Sequence, residues 1–424
     1  MTRNNKAVLQ YLTTYAEPEI GSLPTLSTTY DHCLVVPAFN ETWRNLQQVW
    51  QNLSENYLVI LVVNSPVARH QATLALIREV RNQSPNPVVR GHCCYLRGNP
   101  DILLIDRCSD GNTIDSRYGV GLARKIGADI ALKLIEDRII LSNRISVTDA
   151  DAVLPANYFG FKLESGDAAL SLPFEHSLES GTALATLLYE TSLLYYACGL
   201  LWADSPYAYT SLGSTLAISS THYAMVRGFP RRPAAEDFYL LNKLAKTGRV
   251  RCAGNLPIIL SGRLSSRVPV GTGPGIRKIQ TLENPATEYL FYNPHIFDLL
   301  REFQKALWAT WETPGALLST NEEIRKYCRM MRLESLFSRQ MQRQNKKTVF
   351  NKFVTDWFDG FRTLKFIHFM RDQFLPSVPF SRLGEAAYIK SGHVTDLPEL
   401  RRQLYSRLFP DTPDGQNDGQ KRSG

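Results

Sequence analysis

Val147-Thr148-Asp149-Ala150-Asp151-Ala152-Val153-Leu154-Pro155 follows a short β-type run, Arg144-Ile145-Ser146-Val147, and leads into a turn with the aromatic pair Tyr158-Phe159. Two carboxylates therefore stand two residues apart at the point where a strand ends. In an open α/β sheet, ligands bind at the carboxyl ends of the strands. A divalent ion such as Mg²⁺ or Mn²⁺ takes oxygen ligands there together with the phosphates of a ligand. The alternative is an Asp-rich turn that only solvates a loop, because Asp is favoured in turns.

Short apolar runs of strand type alternate with helical patterns on the amino-terminal side of this stretch. The strand-type runs are Cys33–Pro37, Tyr57–Val63, Ile102–Ile105 and Ile145–Thr148, and helical patterns cover 41–53, 68–82 and 120–135. Such alternation predicts an α/β fold with a mixed, mainly parallel sheet flanked by helices. Polar residues follow each strand, at the edge where a nucleotide would be held; they are Asn40, Glu41, Asn64, Asp106, Asp149 and Asp151.

Further strands are predicted at 168–172 and 216–219, and a helix follows from Ala235 to Gly248. This helix carries Glu236 and Asp237 in its first turn. Acidic residues are expected there in any helix, because they interact favourably with the positive end of the helix dipole. No G-x-x-x-x-G-K-[ST] motif occurs, so a P-loop ATPase is disfavoured.

Residues 261–275 combine cations with glycines. Arg263 and Arg267 precede Gly271, Gly273 and Gly275, which predict a flexible loop. Cations beside mobile glycines suit a lid that closes over phosphate groups. A surface loop with two solvated arginines is an equally good interpretation.

The composition is that of a globular protein. The 424 residues are 44% apolar and 21% charged, and the formal net charge is +8. From Ile276 onward, 23 Lys and Arg stand against 17 Asp and Glu, so most of the basic excess lies in the carboxyl-terminal third. That excess favours contact with an anionic membrane surface or polyanion, or a solvated helical surface. The aromatic residues of 279–407 lack a nucleic-acid motif and are expected to be packing residues, so no nucleic-acid partner is predicted.

No secretory signal is visible in the first 20 residues, and the seven cysteines show no C-x-x-C spacing, which is typical of a reducing compartment. The most apolar stretch, Thr182–Trp202, contains Glu190 near its centre, which would be costly in a bilayer. We therefore expect a buried or interface-lying helix in a soluble, cytoplasmic protein. A peripheral contact at the inner face of the membrane, through the basic carboxyl-terminal region, is a further expectation.

Five elements, taken in order across residues 33–275, resemble the motifs of family-2 glycosyltransferases with the GT-A fold. They are Val35-Val36-Pro37-Ala38-Phe39-Asn40-Glu41, Ala123-Arg124-Lys125-Ile126-Gly127, Thr148-Asp149-Ala150-Asp151, Tyr223 to Phe229, and Glu236-Asp237 with Leu240 and Gly248. Arg227 replaces the first glycine of the fourth element. The D-D-G-S-x-D pattern after the second strand is absent, since the chain reads Val63-Asn64-Ser65-Pro66-Val67.

The resemblance implies a nucleotide-diphosphate sugar as donor and Mg²⁺ or Mn²⁺ as cofactor, with Asp151 and Asp149 as metal ligands through a DxD motif. It also implies Asp237 as the general base that deprotonates an acceptor hydroxyl, with Glu236 beside it, and inversion at the anomeric carbon. The donor would be bound near Pro37, Asn40, Glu41, Asn64, Arg124, Asp149, Arg263 and Arg267.

The expected organisation is an amino-terminal helical lead-in (1–30), a GT-A domain (31–278), a helical carboxyl-terminal region (279–409) and a disordered tail (410–424). The acceptor could be a sugar, a lipid-linked compound or a small molecule. Two alternatives stay open: a GT-A synthase that glycosylates a small acid such as a glycerate, and a GT-A-like binding module without turnover.

Overall fold

A computed structural model describes residues 3–26, 28–264, 271–344, 346–389 and 396–410. Arg267 and the tail from residue 411 onward lie outside the described residues, so the predictions made for them are not addressed by the structure. The strands are β1 His32–Ala38, β2 Tyr57–Asn64, β3 Val88–Arg90, β4 Cys93–Leu96, β5 Asp101–Arg107, β6 Arg144–Val147, β7 Asp167–Ser171, β8 Phe174–His176, β9 Leu216–Ser219, β10 Arg249–Cys252, β11 Ile258–Leu260, β12 Leu290–Phe291 and β13 Val378–Pro379.

The helices of the sheet-bearing part are α1 Arg3–Thr14, α2 Trp43–Trp50, α3 Gln71–Arg81, α4 Gly119–Glu136, α5 Ala183–Trp202, α6 Ser220–Met225, α7 Glu236–Leu244 and α8 Thr272–Gln280. Those of the carboxyl-terminal part are α9 Pro285–Glu288, α10 His295–Ala309, α11 Glu322–Met330, α12 Leu333–Arg343, α13 Lys347–Trp357, α14 Gly360–Gln373 and α15 Leu397–Leu408.

One large sheet forms the centre of the molecule, with the strand order β10-β7-β9-β6-β1-β2-β5-β4-β3. Only β4 and β9 run against the direction of the other seven strands. The predicted mixed, mainly parallel sheet flanked by helices is thus confirmed, together with a helical carboxyl-terminal region. β8 with β11, and β12 with β13, make two further small sheets.

Both faces of the central sheet are buried, because successive side chains of a strand point to opposite faces. In β1, Leu34 and Val36 pack into one apolar core with α2, α3 and the carboxyl-terminal helices. Cys33 and Val35 pack into a second core, with α1, α4 and α6. This explains why the sequence of β1 reads as a continuous apolar run rather than an alternating one.

The structure corrects two details. The alternation of strand and helix is interrupted by an antiparallel hairpin, β3 and β4, which was not predicted as such. Gly273 and Gly275, predicted to lie in a flexible loop, belong to helix α8. A Cβ atom at residue 275 would lie 2.6 Å from the Tyr189 ring, so Gly275 permits close packing of α8 against α5.

Among the described residues, one helix, α5, is long and apolar enough by length and composition to cross a membrane. Most of it is buried within the fold, against α8, α10 and α15. Glu190, near its middle, accepts hydrogen bonds from the backbone and ring of His176 and pairs with Arg401 of α15. The charge that made a membrane span costly therefore has buried partners.

Candidate active site

A cavity of about 700 Å³ opens at the carboxyl ends of β1, β2 and β6. The segments after these strands form part of its wall, and α4, α5, α7 and the start of α8 complete it. Its charged lining residues are Glu41, Arg124, Asp149, Asp151, Glu236, Asp237 and Arg263. Five acids and two bases give the described lining an excess of negative charge.

Asp149 and Asp151 lie in a tight turn after β6, in which the Ala152 N–H donates to the Asp149 carbonyl, and both residues line the cavity. Ala150 and Ala152 are buried, whereas the two aspartates are partly exposed. The segment is fixed at both ends: the Thr148 N–H donates to the Val35 carbonyl, and Val153 exchanges backbone hydrogen bonds with Ile259. The turn that carries the two carboxylates is thus fixed by backbone hydrogen bonds on both sides.

Arg124 connects the two acidic elements of the cavity. It lies on α4 and is 5% exposed. Its guanidinium donates one hydrogen bond to Asp149 and another to Glu236, while its Nε has no hydrogen-bond partner in the structure. Burial opposes the charge on Arg124, but the carboxylates of Asp149, Glu236 and Asp237 outweigh it and raise its pKa. Arg124 is therefore a fixed cation.

Gly213 leaves room for this guanidinium. A Cβ atom at residue 213 would lie 2.5–2.6 Å from the terminal atoms of Arg124, closer than van der Waals contact allows. Gly213 precedes β9, whose first residue is paired with Val147 at the end of β6. The antiparallel course of β9 therefore brings this glycine to the edge of the sheet that carries the double Asp.

Asp237 and Glu236 occupy different environments although they are neighbours. Glu236 is 2% exposed and bonded to Arg124, whereas Asp237 is half-buried and lines the cavity. Burial and the Glu236 charge raise the pKa of Asp237 to about 7, although Arg124 opposes the rise. A carboxylate with such a pKa can accept a proton near neutral pH.

Arg263 closes a second cluster on the other side of the double Asp. It pairs with Glu41 and lies 2.8 Å from the Asp151 carboxylate. Glu41 is almost fully buried and also accepts a hydrogen bond from Asn45. The segment that bears Arg263 is thereby held to the ends of β1 and β6.

The structure brings together most of the residues predicted for the site. Those around the cavity are Pro37, Glu41, Asn64, Arg124, Asp149, Asp151, Glu236, Asp237 and Arg263. Asn40 is the exception among the described residues, because it is exposed and does not line the cavity. Its φ of 53° turns the chain between β1 and Glu41.

Asp106, the next-to-last residue of β5, also lies elsewhere. Its carboxylate accepts hydrogen bonds from Cys108 and Ser109 and thereby caps the following turn. The end of this strand therefore does not supply a carboxylate to the cavity.

Asp149 and Asp151 are side chains of the cavity that could bind a divalent ion. No group of three or more His, Cys, Asp and Glu in the described part of the chain could hold a metal by itself. Asp149 and Asp151 supply two carboxylates, and Mg²⁺ is commonly bound by one or two carboxylates plus substrate phosphates. The two aspartates therefore fit a divalent ion that arrives together with a diphosphate. That ion would share the Asp149 carboxylate with Arg124 and the Asp151 carboxylate with Arg263.

Sequence reasoning missed part of the wall. Tyr189 and Leu193 of α5, Leu212, Phe238 and Leu260 line the cavity but carry no motif. Tyr189 and Leu193 are four residues apart on one helix face, but a uniformly apolar helix hides which face meets a cavity. The Ser- and Gly-rich passage before β9 was the only available signal for Gly213.

No protein-family model matches this chain, and no curated protein matches its sequence. Among solved structures, it is similar to a mannosyltransferase from Pyrobaculum calidifontis in complex with GDP-Man and Mn²⁺. The identity is 13%, the TM-score is 0.35, and the alignment covers 87% of this chain and 96% of that chain. At these values the likeness carries no conclusion about what this chain binds.

Proposed function

We propose that this chain is a metal-dependent, inverting glycosyltransferase of the GT-A type, which moves a sugar from a nucleotide-diphosphate donor to an acceptor hydroxyl. One observation carries the proposal. A single buried guanidinium, that of Arg124, holds both a carboxylate of the double Asp and the Glu236 carboxylate next to Asp237. The metal-binding element and the candidate base are therefore positioned by the same residue.

The electrostatics of the cavity favour a cation that accompanies the donor. Five acidic side chains stand against two basic ones in the described lining. A diphosphate would be repelled by this excess unless its charge were offset. A divalent ion held by Asp149 and Asp151 would supply that charge and stabilise the diphosphate as it leaves.

In the proposed reaction, Asp237 accepts the proton of the acceptor hydroxyl as its oxygen bonds to the anomeric carbon. The bond between that carbon and the diphosphate oxygen breaks, and its electron pair stays on the diphosphate. Glu236 is buried and bonded to Arg124, so it is not presented as a nucleophile. One direct displacement then inverts the anomeric carbon.

Thermal stabilisation by UDP, GDP and CMP, each with and without Mn²⁺, tests the proposal. A ligand at about 100 times its Kd adds about 2.7 kcal/mol of stability, which is visible as a higher Tm. We expect one nucleotide to raise the Tm strongly only with Mn²⁺. Asp151→Asn should remove the metal-dependent part of the shift. Asp110→Asn, which alters an exposed pair with Arg69 away from the cavity, is the matched control.

The same experiment can reject the proposal. An equal shift with and without Mn²⁺, retained in Asp151→Asn, would exclude the metal role of the double Asp. The absence of any shift would favour a binding module without turnover.

A further inference from the structure

The cavity has two sides that the sheet order separates. β6, which leads into Asp149 and Asp151, lies between β1 on one side and β9 on the other. The β1 side carries Glu41 and Asn64. Five large apolar lining residues, here called the apolar wall, come from elements other than β1 and β2: Tyr189 and Leu193 on α5, Leu212 before β9, Phe238 on α7 and Leu260 on β11.

We propose that the acceptor is a sugar without a carboxylate or phosphate group that carries an apolar aglycone, with its hydroxyl at Asp237 and its aglycone against the apolar wall. This inference rests on the proposed function, since it assigns the second substrate of the same cavity.

The apolar wall is close to the candidate base along the chain and is rigidly built. Phe238 directly follows Asp237, and Leu212 directly precedes the glycine that contacts Arg124. The Tyr189 side chain is hydrogen-bonded to Thr272, and its ring packs against Gly275. An aromatic ring held this way offers an apolar surface without first losing side-chain freedom on binding.

Charge argues against an acidic acceptor. Arg124 is already shared between Asp149 and Glu236, and Arg263 between Glu41 and Asp151. Among the described lining residues, these two arginines are the only cations. A carboxylate or phosphate on the acceptor would therefore meet Asp237 without a cation of its own, and burying an unpaired charge is unfavourable. The geometry thus disfavours a glycerate as acceptor.

Calorimetric binding of neutral and charged probes tests this inference. The titrations contain Mn²⁺ and the nucleotide that raises the Tm most strongly. The probes are a panel of neutral p-nitrophenyl glycosides, the corresponding free sugars, p-nitrophenyl glucuronide, p-nitrophenyl 2-amino-2-deoxyglucoside and glycerate. We expect at least one neutral aryl glycoside to bind about tenfold more tightly than its free sugar, the glucuronide and glycerate, since apolar burial strengthens binding and an unmatched negative charge weakens it. The amino glycoside, whose cation the acidic lining attracts, should bind no more weakly than the neutral ones.

Leu193→Ala should weaken binding of that aryl glycoside about tenfold and leave the nucleotide-dependent Tm shift unchanged, because it removes apolar contact on the acceptor side only. Leu184→Ala, which alters an exposed leucine of the same helix that does not line the cavity, should leave both values unchanged. Phe238→Ala, at a half-buried position, repeats the test if Leu193→Ala lowers the Tm of the free protein.

Tighter binding of the glucuronide or glycerate than of every neutral aryl glycoside would overturn the inference. So would a nucleotide shift with Mn²⁺ but no aryl glycoside binding, an outcome that leaves the proposed transferase standing. Loss of the nucleotide shift itself would refute the proposed function, and with it this inference.

Discussion

At the scale of single residues, the adjacent carboxylates of Glu236 and Asp237 differ in their environment and therefore in their proposed roles. Glu236 lies under the surface against Arg124, where its charge is compensated. Asp237 lines the cavity, and burial together with Glu236 raises its pKa to about 7. Adjacent acids that differ in this way in burial and hydrogen bonding suit a base and its supporting group.

Replacement of this residue, Asp237→Asn, should keep the nucleotide- and Mn²⁺-dependent Tm shift but reduce transfer by about 10²–10⁴-fold, the usual contribution of a general base. In the wild type, kcat/KM should rise about tenfold per pH unit below pH 7 and level off above it, because only the ionised form accepts a proton. Steady-state rates between pH 5 and 9 measure this. Near wild-type turnover of the variant would remove Asp237 as the base.

Stability gives a second readout of the same group. The folded pKa of Asp237 lies above its ordinary value, so between about pH 4 and 7 the folded state binds protons that the unfolded state has lost. The free energy of unfolding contributed by this group therefore falls as the pH rises through that window. Asp237→Asn should flatten this part of the pH dependence in denaturant titrations.

At the scale of the elements, α5 shows how a helix can be apolar all round and still carry a buried acid. Glu190 is held between His176 of β8 and Arg401 on α15, and His176 in turn contacts Thr272 at the start of α8. Burial disfavours the charged form of Glu190. The hydrogen bond from His176 and the charge of Arg401 outweigh this effect, so the pKa of Glu190 is lowered. α5 and α8, which both line the cavity, are thereby tied to β8 and α15.

Removal of the acid, Glu190→Ala, should destabilise the fold by about 1–3 kcal/mol at neutral pH, because it leaves the buried His176 backbone N–H without its acceptor. Arg401 keeps its ion pair with Glu175. Because the pKa of Glu190 is lowered in the folded state, its ionised form stabilises the fold at a pH above the ordinary Glu pKa, and this contribution is lost as the pH falls. The difference in the free energy of unfolding between the wild type and Glu190→Gln should therefore become smaller below about pH 4. Urea titrations at pH 7 and pH 3.5 measure both effects.

A matched control for this element is Glu399→Gln on α15, which removes an exposed pair with Arg402. An exposed ion pair contributes little to stability. If Glu399→Gln and Glu190→Gln lowered the free energy of unfolding equally at neutral pH, the cluster around Glu190 would contribute no more to stability than an exposed ion pair.

At the scale of the whole molecule, the amino-terminal helix is part of the same packed unit as the sheet. The Tyr11 hydroxyl donates to Asp129 of α4 at 2.6 Å, and the Glu17 N–H donates to the same carboxylate at 2.9 Å. Lys125, next to Arg124 in the chain, pairs with Asp129 at 2.8 Å. The segment before β1 thus covers the helix that positions the active-site arginine.

Loss of the central acid of this cluster, Asp129→Ala, should cost about 3–5 kcal/mol, because it leaves Lys125 buried without its main partner. Asp137→Ala, which removes a half-exposed pair with Lys133 on the same helix, should cost about 1 kcal/mol or less. Both values come from denaturant unfolding. Equal losses would show that α1 is only loosely attached to the sheet.

Local chemistry was enough to predict the strand and helix alternation, the mainly parallel sheet and the acidic pairs 149/151 and 236/237, because periodicity and strand ends are properties of short segments. Other features required the tertiary structure. The hairpin of β3 and β4, the helical course of Gly273 and the turning away of Asn40 depend on long-range packing.

The joining of Asp149 to Glu236 through Arg124, and the clearance that Gly213 provides for it, also arise only when β9 runs antiparallel beside β6. Residues 25 to 112 positions apart form these contacts. Their meeting depends on the order in which the strands pair, and no short segment of the chain encodes that order.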